Sequence, residues 1–504
     1  MTKHIKLIAL MVITVLATGL LASCKKFLDR KPLAITQDDI GVGALEGKAV
    51  GLYGAIRNSA ADPYCGDGFE NIPWVALNGF RSDDAEIVAD PGATAWHQTF
   101  DNFQYTKDDW GAGLYWDKHY AFIGLCNGVL DEAVKNNYTD PGSIINVAEA
   151  RFFRAYAYFD LVRTYGSVPK IDFTINTPTD ANIAKSDTAV IYNLIMSDLT
   201  FAEQNLPVAR PDFPGRLTSW AAKSMHAKAL MQQHRYAEAL TLCRDIINNG
   251  PYQLYTPYWK IFKKEGELCS ESIFEIQAAK TAGDGNTYWS RLGQCQGVRG
   301  SGTWDLGWGW NTPTASLVAA YEPGDVRKDA TILYSNQSDG GPNTGGYGNV
   351  VPNLTNALYW NKKVYNQYSD YLAAGLGTPN NEAQNTWINH RVLRLADILL
   401  LGAEAANETT PGGSEATTWV NRIRNRAGLG NIAYVSQAQM RTAIKQERRV
   451  EFAMEYERFF DLVRYGDAVS VLGGNGYQNK HRYYPIPTSA LNSNPNLVQN
   501  PEWP

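Results

Sequence analysis

Helical periodicity runs through this chain in separate blocks and stops altogether between them, which limits the fold more than any other feature. From Asn146 the run NVAEARFFRAYAYFDLVRTYG sets Val147, Phe152, Ala155, Tyr158, Phe159 and Val162 on one stripe, with Gly166 to end it and Pro169 just beyond. A second run, SDTAVIYNLIMSDLTFAEQNLP, opens on the capping residues Ser186 and Asp187, keeps Ile191, Leu194, Ile195 and Leu199 in phase, and ends at Pro207. A third, TSWAAKSMHAKALMQQHRYAEALTLCRDIINNG, reads as two helices broken near His234 and Arg235. Its small residues Ala222, Ala227, Ala229, Ala237 and Ala239 suit the close pairing of a tetratricopeptide hairpin. Helices return at INHRVLRLADILLLGAEAAN, at EATTWVNRIRNRAGLG and at SQAQMRTAIKQERRVEFAMEYERFFDLVRYG. The expected class is mainly α, a tetratricopeptide-like helix-pair scaffold carrying a loop-rich irregular part.

The pentapeptide Phe-Asp-Leu-Val-Arg occurs at 159–163 and again at 460–464, each time just before a helix-ending glycine. Residues three apart share a helix face, so Asp160 with Arg163 and Asp461 with Arg464 are expected to form structural ion pairs. The densest charge run, with Glu447, Arg448, Arg449, Glu451, Glu455, Glu457 and Arg458, mixes both signs at three- and four-residue spacing and is read as structural pairing across turns and between helices.

Two blocks lack the period, about 60–110 and about 281–350. The second contains GTWDLGWGW, which puts Trp304, Trp308 and Trp310 among glycines, with Tyr288 and Trp289 just upstream. Loops of this length in a compact domain are functional or disordered, and the aromatics argue for order. The last stretch, YYPIPTSALNSNPNLVQNPEWP, is too rich in Pro and Asn for regular structure.

The first residues carry Lys3 and Lys6, then an uncharged run from Leu7 to Ala22, then LASC ending at Cys24. That pattern reads as a lipoprotein signal over 1–23, with a lipidated Cys24 and a tether over 24–35. A membrane span would need about 20 apolar residues. The remaining 36–504 is expected to be one domain. With 46 basic and 51 acidic residues and no long Lys/Arg run, the chain offers nothing to nucleic acid. Cys65, Cys126, Cys243, Cys269 and Cys295 show no C-x-x-C spacing, so neither a zinc site nor a disulfide framework is expected, although Cys269 and Cys295 have the freedom to pair in an exported protein. No His-Glu-x-x-His, G-x-S-x-G or phosphate-binding loop occurs, and no metal or cofactor is expected. Asp83, Asp84, Glu86, Asp284 and Asp305 in the loop blocks leave a pair of hydrolytic carboxylates open.

Taken in order, SCKKFLD, AEARFFRAYAYFDLVRTYGSVP, AAKSMHAKALMQQHRYAEALTLCRDIINNGPYQL, RLADILLLGAEAAN, VNRIRNRAGL, ERRVEFAMEYERFFDLVRYGD and YYPIPTSALNSNPNLVQNPEW resemble the SusD/RagB family of outer-membrane lipoproteins from end to end. The resemblance implies a non-catalytic cell-surface protein that captures oligosaccharides and hands them to a SusC-like TonB-dependent transporter, tethered to the outer membrane by its lipid. A peptide-binding RagB-like protein and a surface glycoside hydrolase are the alternatives.

A sugar ring has an apolar C–H face and an edge of hydroxyls, so a binder needs flat aromatic surface and planar polar groups. Trp289, Trp304, Trp308 and Trp310, with Tyr288, supply candidate platforms on one wall, and Trp74 and Trp96 on the other. One or two of the loop tryptophans are expected to anchor the loop and at least one to stack on ligand. Asn78, Arg81 and Asp83 are candidates for hydroxyl contacts, while FRSDDAEI equally reads as a capped helix start.

Overall fold

The computed structural model describes residues 44–57, 69, 72–87, 94–279, 290–353, 355–366 and 387–504. The chain opens with α1 (Ala44–Ile56), α2 (Ile72–Gly79), the two-residue strand β1 (Ala85–Glu86) and α3 (Thr94–Asp101). The long pair α4 (Trp110–Lys135) and α5 (Pro141–Tyr165) follows, and then α6 (Thr188–Asn205), α7 (Ser219–Gln232) and α8 (Tyr236–Asn249). Each of α4 to α8 packs on the next in line, and α8 packs on α12 (Leu395–Thr409) across the intervening irregular segment. Beside α12 lie α13 (Ser414–Arg426) and α14 (Gln437–Glu451), followed by α15 (Arg458–Tyr465). This is the expected tetratricopeptide-like helix-pair scaffold.

Local chemistry fixes the pairs. α5 is capped by Asp140, whose carboxylate accepts from the Ser143 N–H, has proline at its first turn, and ends at Gly166 with φ 74°. Its stripe is buried from Phe152 to Val162, and Val147 is partly buried. Each such side chain taken out of water contributes roughly 2 kcal/mol. The α7–α8 hairpin turns at His234, which takes a left-handed φ of 57°, and Ala222, Ala227, Ala229 and Ala239 are fully buried.

Several boundaries differ from the sequence reading. The block at 60–110 contains α2 and α3, and FRSDDAEI leads into β1, not into a capped helix; β1 pairs with Thr312–Pro313. The segment His390–Arg394 is a strand paired antiparallel with Ser272–Ile276, and α12 begins directly after it. The charge-rich run breaks between α14 and α15, where Met454 and Tyr456 adopt φ 65° and 69°. The last stretch is irregular apart from a short helix at Thr488–Ser493, and it straps the surface, with Asn500 donating to the carbonyls of Tyr165 and Tyr484. Cys269 and Cys295 do not pair; Cys295 is buried and burial pushes its thiol up to about 12.

Candidate functional site

The glycines of GTWDLGWGW serve close backbone packing. The segment runs against the short helix Leu292–Gln296 and the turn after it: Leu306 N–H donates to Val298 O, Trp308 to Gln294 O, Gly309 to Gly297 O and Trp310 to Cys295 O, all at 2.8–3.0 Å. A Cβ on Gly307 would stand 2.7 Å from both the Gln294 carbonyl oxygen and the Gly297 Cα, so only glycine fits. The loop is thereby stiff, and it distributes its three rings. Trp304 lies parallel to Tyr365, centroids 5.9 Å apart, on a satellite core with Leu333 and Trp360. Trp310 is buried against His97, at 3.9 Å. Partly buried Trp308 sits against Trp310 at 4.7 Å, towards the rim.

Helix α3 brings Trp96 to the same place. Its Nε1–H donates to Asp109 Oδ2 at 3.0 Å, and the other oxygen of Asp109 caps α4 through the Ala112 N–H. A Cβ on Gly111 would meet the Trp96 ring at 2.6 Å, so this glycine makes room for the indole. Trp96 stacks on Trp110 with centroids 4.7 Å apart and planes 28° from parallel, and lies 6.5 Å from Trp310. Trp110 remains 49% exposed. The result is a rigid ribbon of four indoles, Trp110, Trp96, Trp310 and Trp308, uncovered at Trp110. Burial pushes up the Asp109 carboxyl beside it, against the hydrogen bonds that favour its charge. Behind the ribbon, burial raises the Asp101 carboxyl to about 8, and the charge of Glu86 adds to the effect.

Of the other wall expected from the sequence, Trp96 joins the ribbon, and the rest is withdrawn into the core. α2 is buried on every side, so Trp74 is 3% exposed and donates its Nε1–H to Asp160 Oδ2 at 2.9 Å. Asn78 is buried as well, 3% exposed. Arg81 is fully buried between the rings of Phe459, at 4.0 Å, and Tyr484, at 5.1 Å, with Nε–H donating to Leu77 O. Asp83 receives two bonds from Arg458 and pairs with Arg449, while Asp84 pairs with Arg449 at 2.7 Å. Burial opposes the charge on Asp83, yet the two arginines hold its carboxyl below the usual range; burial and the neighbouring Asp83 push Asp84 up. Trp74, Asn78 and Arg81 are thus buried and Asp83 is bound to two arginines, so the structure does not bring these four expected ligand contacts to the open face of the ribbon. Cys24, Tyr288 and Trp289 lie outside the described residues.

Trp110 was absent from the sequence expectations. Its signal is DDWGAG, where a capping aspartate opens a helix that carries two glycines in its first turn, residues that helices avoid unless something must come close.

The charge-rich run forms a buried lattice. Glu451 meets Arg394 at 2.5 Å and Arg327 at 3.1 Å, with Arg426 closer still; Glu447 meets Arg327 at 2.6 Å. The two pentapeptides pair internally as expected, Asp160 with Arg163 at 2.7 Å and Asp461 with Arg464 at 2.9 Å, and they meet where Arg163 stacks 4.0 Å over Phe460. Among the described residues no group of three His, Cys, Asp or Glu is placed to hold a metal, and no helix is long and apolar enough to cross a membrane.

Residues 270–481 match the SusD family, and residues 76–231 match a second profile described as starch-binding, associating with outer membrane. Over these two regions the chain is similar to the SusD/RagB family. SusD-like protein P2 of Formosa agariphila is 29% identical over 448 residues, covering 83% of this chain and 86% of that protein. The starch-binding protein SusD of Bacteroides thetaiotaomicron is 24% identical over 573 residues, covering 99% of each. A solved structure, a laminarin-binding SusD-like protein, is 26% identical with a TM-score of 0.75, covering 91% of this chain and 99% of the other.

Proposed function

We propose that the protein is a non-catalytic glycan-binding lipoprotein that takes oligosaccharides on the indole ribbon and delivers them to a SusC-like TonB-dependent transporter, held at the outer membrane by a lipid on Cys24. The observation that carries this reading is the Trp96–Trp110 stack, in which a ring fixed from behind leaves its neighbour half in water. Such a surface matches the C–H face of a pyranose. Covering about 100 Å² of indole contributes roughly 2–3 kcal/mol, so two platforms less the cost of association give about millimolar to micromolar binding. That range suits capture followed by release. The laminarin-binding and starch-binding names of the relatives support the same ligand class. A hydrolase built on Asp83 and Asp84 is disfavoured, because both carboxylates are committed to Arg449 and Arg458.

The test is a binding screen of the protein against neutral glycans, laminarin and starch oligosaccharides included, and against peptides. The expected result is saturable binding to a glycan that disappears in the double variant Trp110→Ala/Trp308→Ala while the melting temperature is kept. Binding to peptides alone would replace this reading with the peptide one. Fractionation of cells carrying Cys24→Ala, and pull-down of the wild-type protein with its transporter, test the anchor and the partner.

A further inference from the structure

A wide hollow on the described surface lies away from the indole ribbon. It is an open cleft of about 540 Å³ between the start of α6, the turn after α15 and the C-terminal strap. Lys185, Lys480, Arg482, Tyr477, Tyr483 and Trp503 line it, and it continues into a second hollow of about 310 Å³ through Thr188, Val463, Arg482 and Tyr483. The combined space is that of a small-ligand site.

Its charge sets it apart. The chain is net −5, and interior arginines such as Arg394, Arg426 and Arg448 are matched to carboxylates, yet three cations gather here. Lys185 reaches only the Gln499 carbonyl and Asn500 Oδ1, at 3.3 and 2.9 Å. Lys480 rests 4.8 Å over the Trp503 ring, and Arg482 lies 5.1 Å over Tyr483. None of the three has a carboxylate at ion-pairing distance among the described residues, and Glu502 is the one acid lining the cleft. The positive field registers on a neighbour: burial, then Lys480 and Arg81, push the His481 imidazole down to about 4. Trp503 is held rigid, donating Nε1–H towards the carbonyls of Tyr483 and Lys480 at 3.1 and 3.2 Å. Unmatched cations in a walled cleft focus potential and attract an anion, and fixed rings beside them accept a flat apolar face.

We infer that this cleft is a second binding site, selective for a sugar unit that carries a carboxylate or a sulfate. The anion part stands on the cleft alone, and the saccharide part rests on the glycan reading above.

Calorimetric titration of the full-length lipoprotein in detergent, with a galacturonate trisaccharide, a sulfated galactose disaccharide, their neutral counterparts and sodium sulfate, tests it. At least one charged sugar should bind saturably, more tightly than sulfate. Lys480→Gln/Arg482→Gln should weaken that binding at least tenfold at an unchanged melting temperature, whereas Trp110→Ala leaves it intact. Raising salt from about 50 to about 300 mM should weaken it as well. The inference is overturned if neither charged sugar binds, if sulfate binds as tightly as the sugars, or if the Lys480/Arg482 variant binds as wild type. Neutral-glycan binding lost in Trp110→Ala alongside silent charged sugars would sink this cleft and leave the ribbon standing. Sulfate binding without any saccharide binding would sink the sugar assignment together with the glycan reading.

Discussion

Around Glu451 three guanidinium groups, of Arg327, Arg394 and Arg426, and the three carboxylates of Glu451, Glu447 and Glu271 are shut away from water with their charges matched, whereas at Trp110 an indole stays half in water although the ring behind it is fixed. Both arrangements are rigid. In the first, every group has its partner inside the chain, so nothing is left to offer a ligand. In the second, the rigidity comes from behind, through the Asp109 bond to Trp96 and the Gly111 contact, and the outer face is left free. Burial with a full set of partners marks scaffold; a backed but uncovered face marks a surface built to meet something else.

Breaking the lattice should produce the largest effect. Glu451→Gln leaves Arg327, Arg394 and Arg426 facing one another without their shared anion. Removing one member of a buried charge set costs about 3–5 kcal/mol. Urea unfolding should show that loss, while glycan affinity of the folded protein stays at the wild-type value. A loss under about 1 kcal/mol would mean that the lattice does not hold the scaffold.

Acid titration separates the two regions by sign. In the core, burial opposes the charge on Asp160, but His119 and Arg163 hold its carboxyl down at about 2. The unfolded value is near 3.9, so its stabilisation is present above about pH 4 and is lost as pH falls towards 2, roughly 2.5 kcal/mol in all. Behind the ribbon, Asp101 titrates near 8 because of burial. There the folded state keeps a proton that the unfolded state has released, so stability falls as pH rises from about 4 to 8. Thermal unfolding across pH 2–8 should show Asp160→Asn flattening the acid limb and Asp101→Asn flattening the neutral one.

On the ribbon itself, Trp110→Ala should weaken glycan binding by about 2 kcal/mol, roughly thirtyfold, and change stability by less than about 0.5 kcal/mol. Trp74→Phe should do the reverse, costing about 1.5–3 kcal/mol of stability through the lost bond to Asp160 with no change in affinity. Matching losses of affinity in both would dissolve the distinction between the regions.

Much of the scaffold was legible because an amphipathic helix writes its buried face into a period, as α6 and α8 do. The ion pairs of the two pentapeptides were legible for the same local reason. The burial of Trp74 and Asn78 was not legible because α2 is hidden all round, and a helix with no solvent face has no contrast to read. The break after Glu451 was invisible since the residues there continue a helical pattern. What overrides it is tertiary: the left-handed turns at Met454 and Tyr456 let Glu455 reach Arg394 and Lys363 while Glu457 reaches Arg163 and Lys228. Three of the ribbon's four tryptophans were named from sequence by residue type, but its assembly depends on contacts across some 200 positions, from Trp96 and Trp110 to Trp308 and Trp310.

Trp96 stands on the border between the two regions, being both anchor and neighbour of the exposed face. Trp96→Phe keeps an aromatic ring under Trp110 but removes the Nε1–H that satisfies Asp109. Asp109 retains the Ala112 N–H, so the α4 cap survives, with one donor fewer on a carboxylate already raised by burial. The expected cost is about 1 kcal/mol of stability, that of one hydrogen bond. Trp110, less firmly backed, should then bind glycan less than about fivefold more weakly, since about 1 kcal/mol is the most that the lost backing transmits. Paired denaturant and glycan titrations measure both numbers. If affinity falls as far as in Trp110→Ala, Trp96 touches the sugar itself and the platform spans both rings; if neither number moves, the Asp109 bond is idle and the stack stands on packing alone.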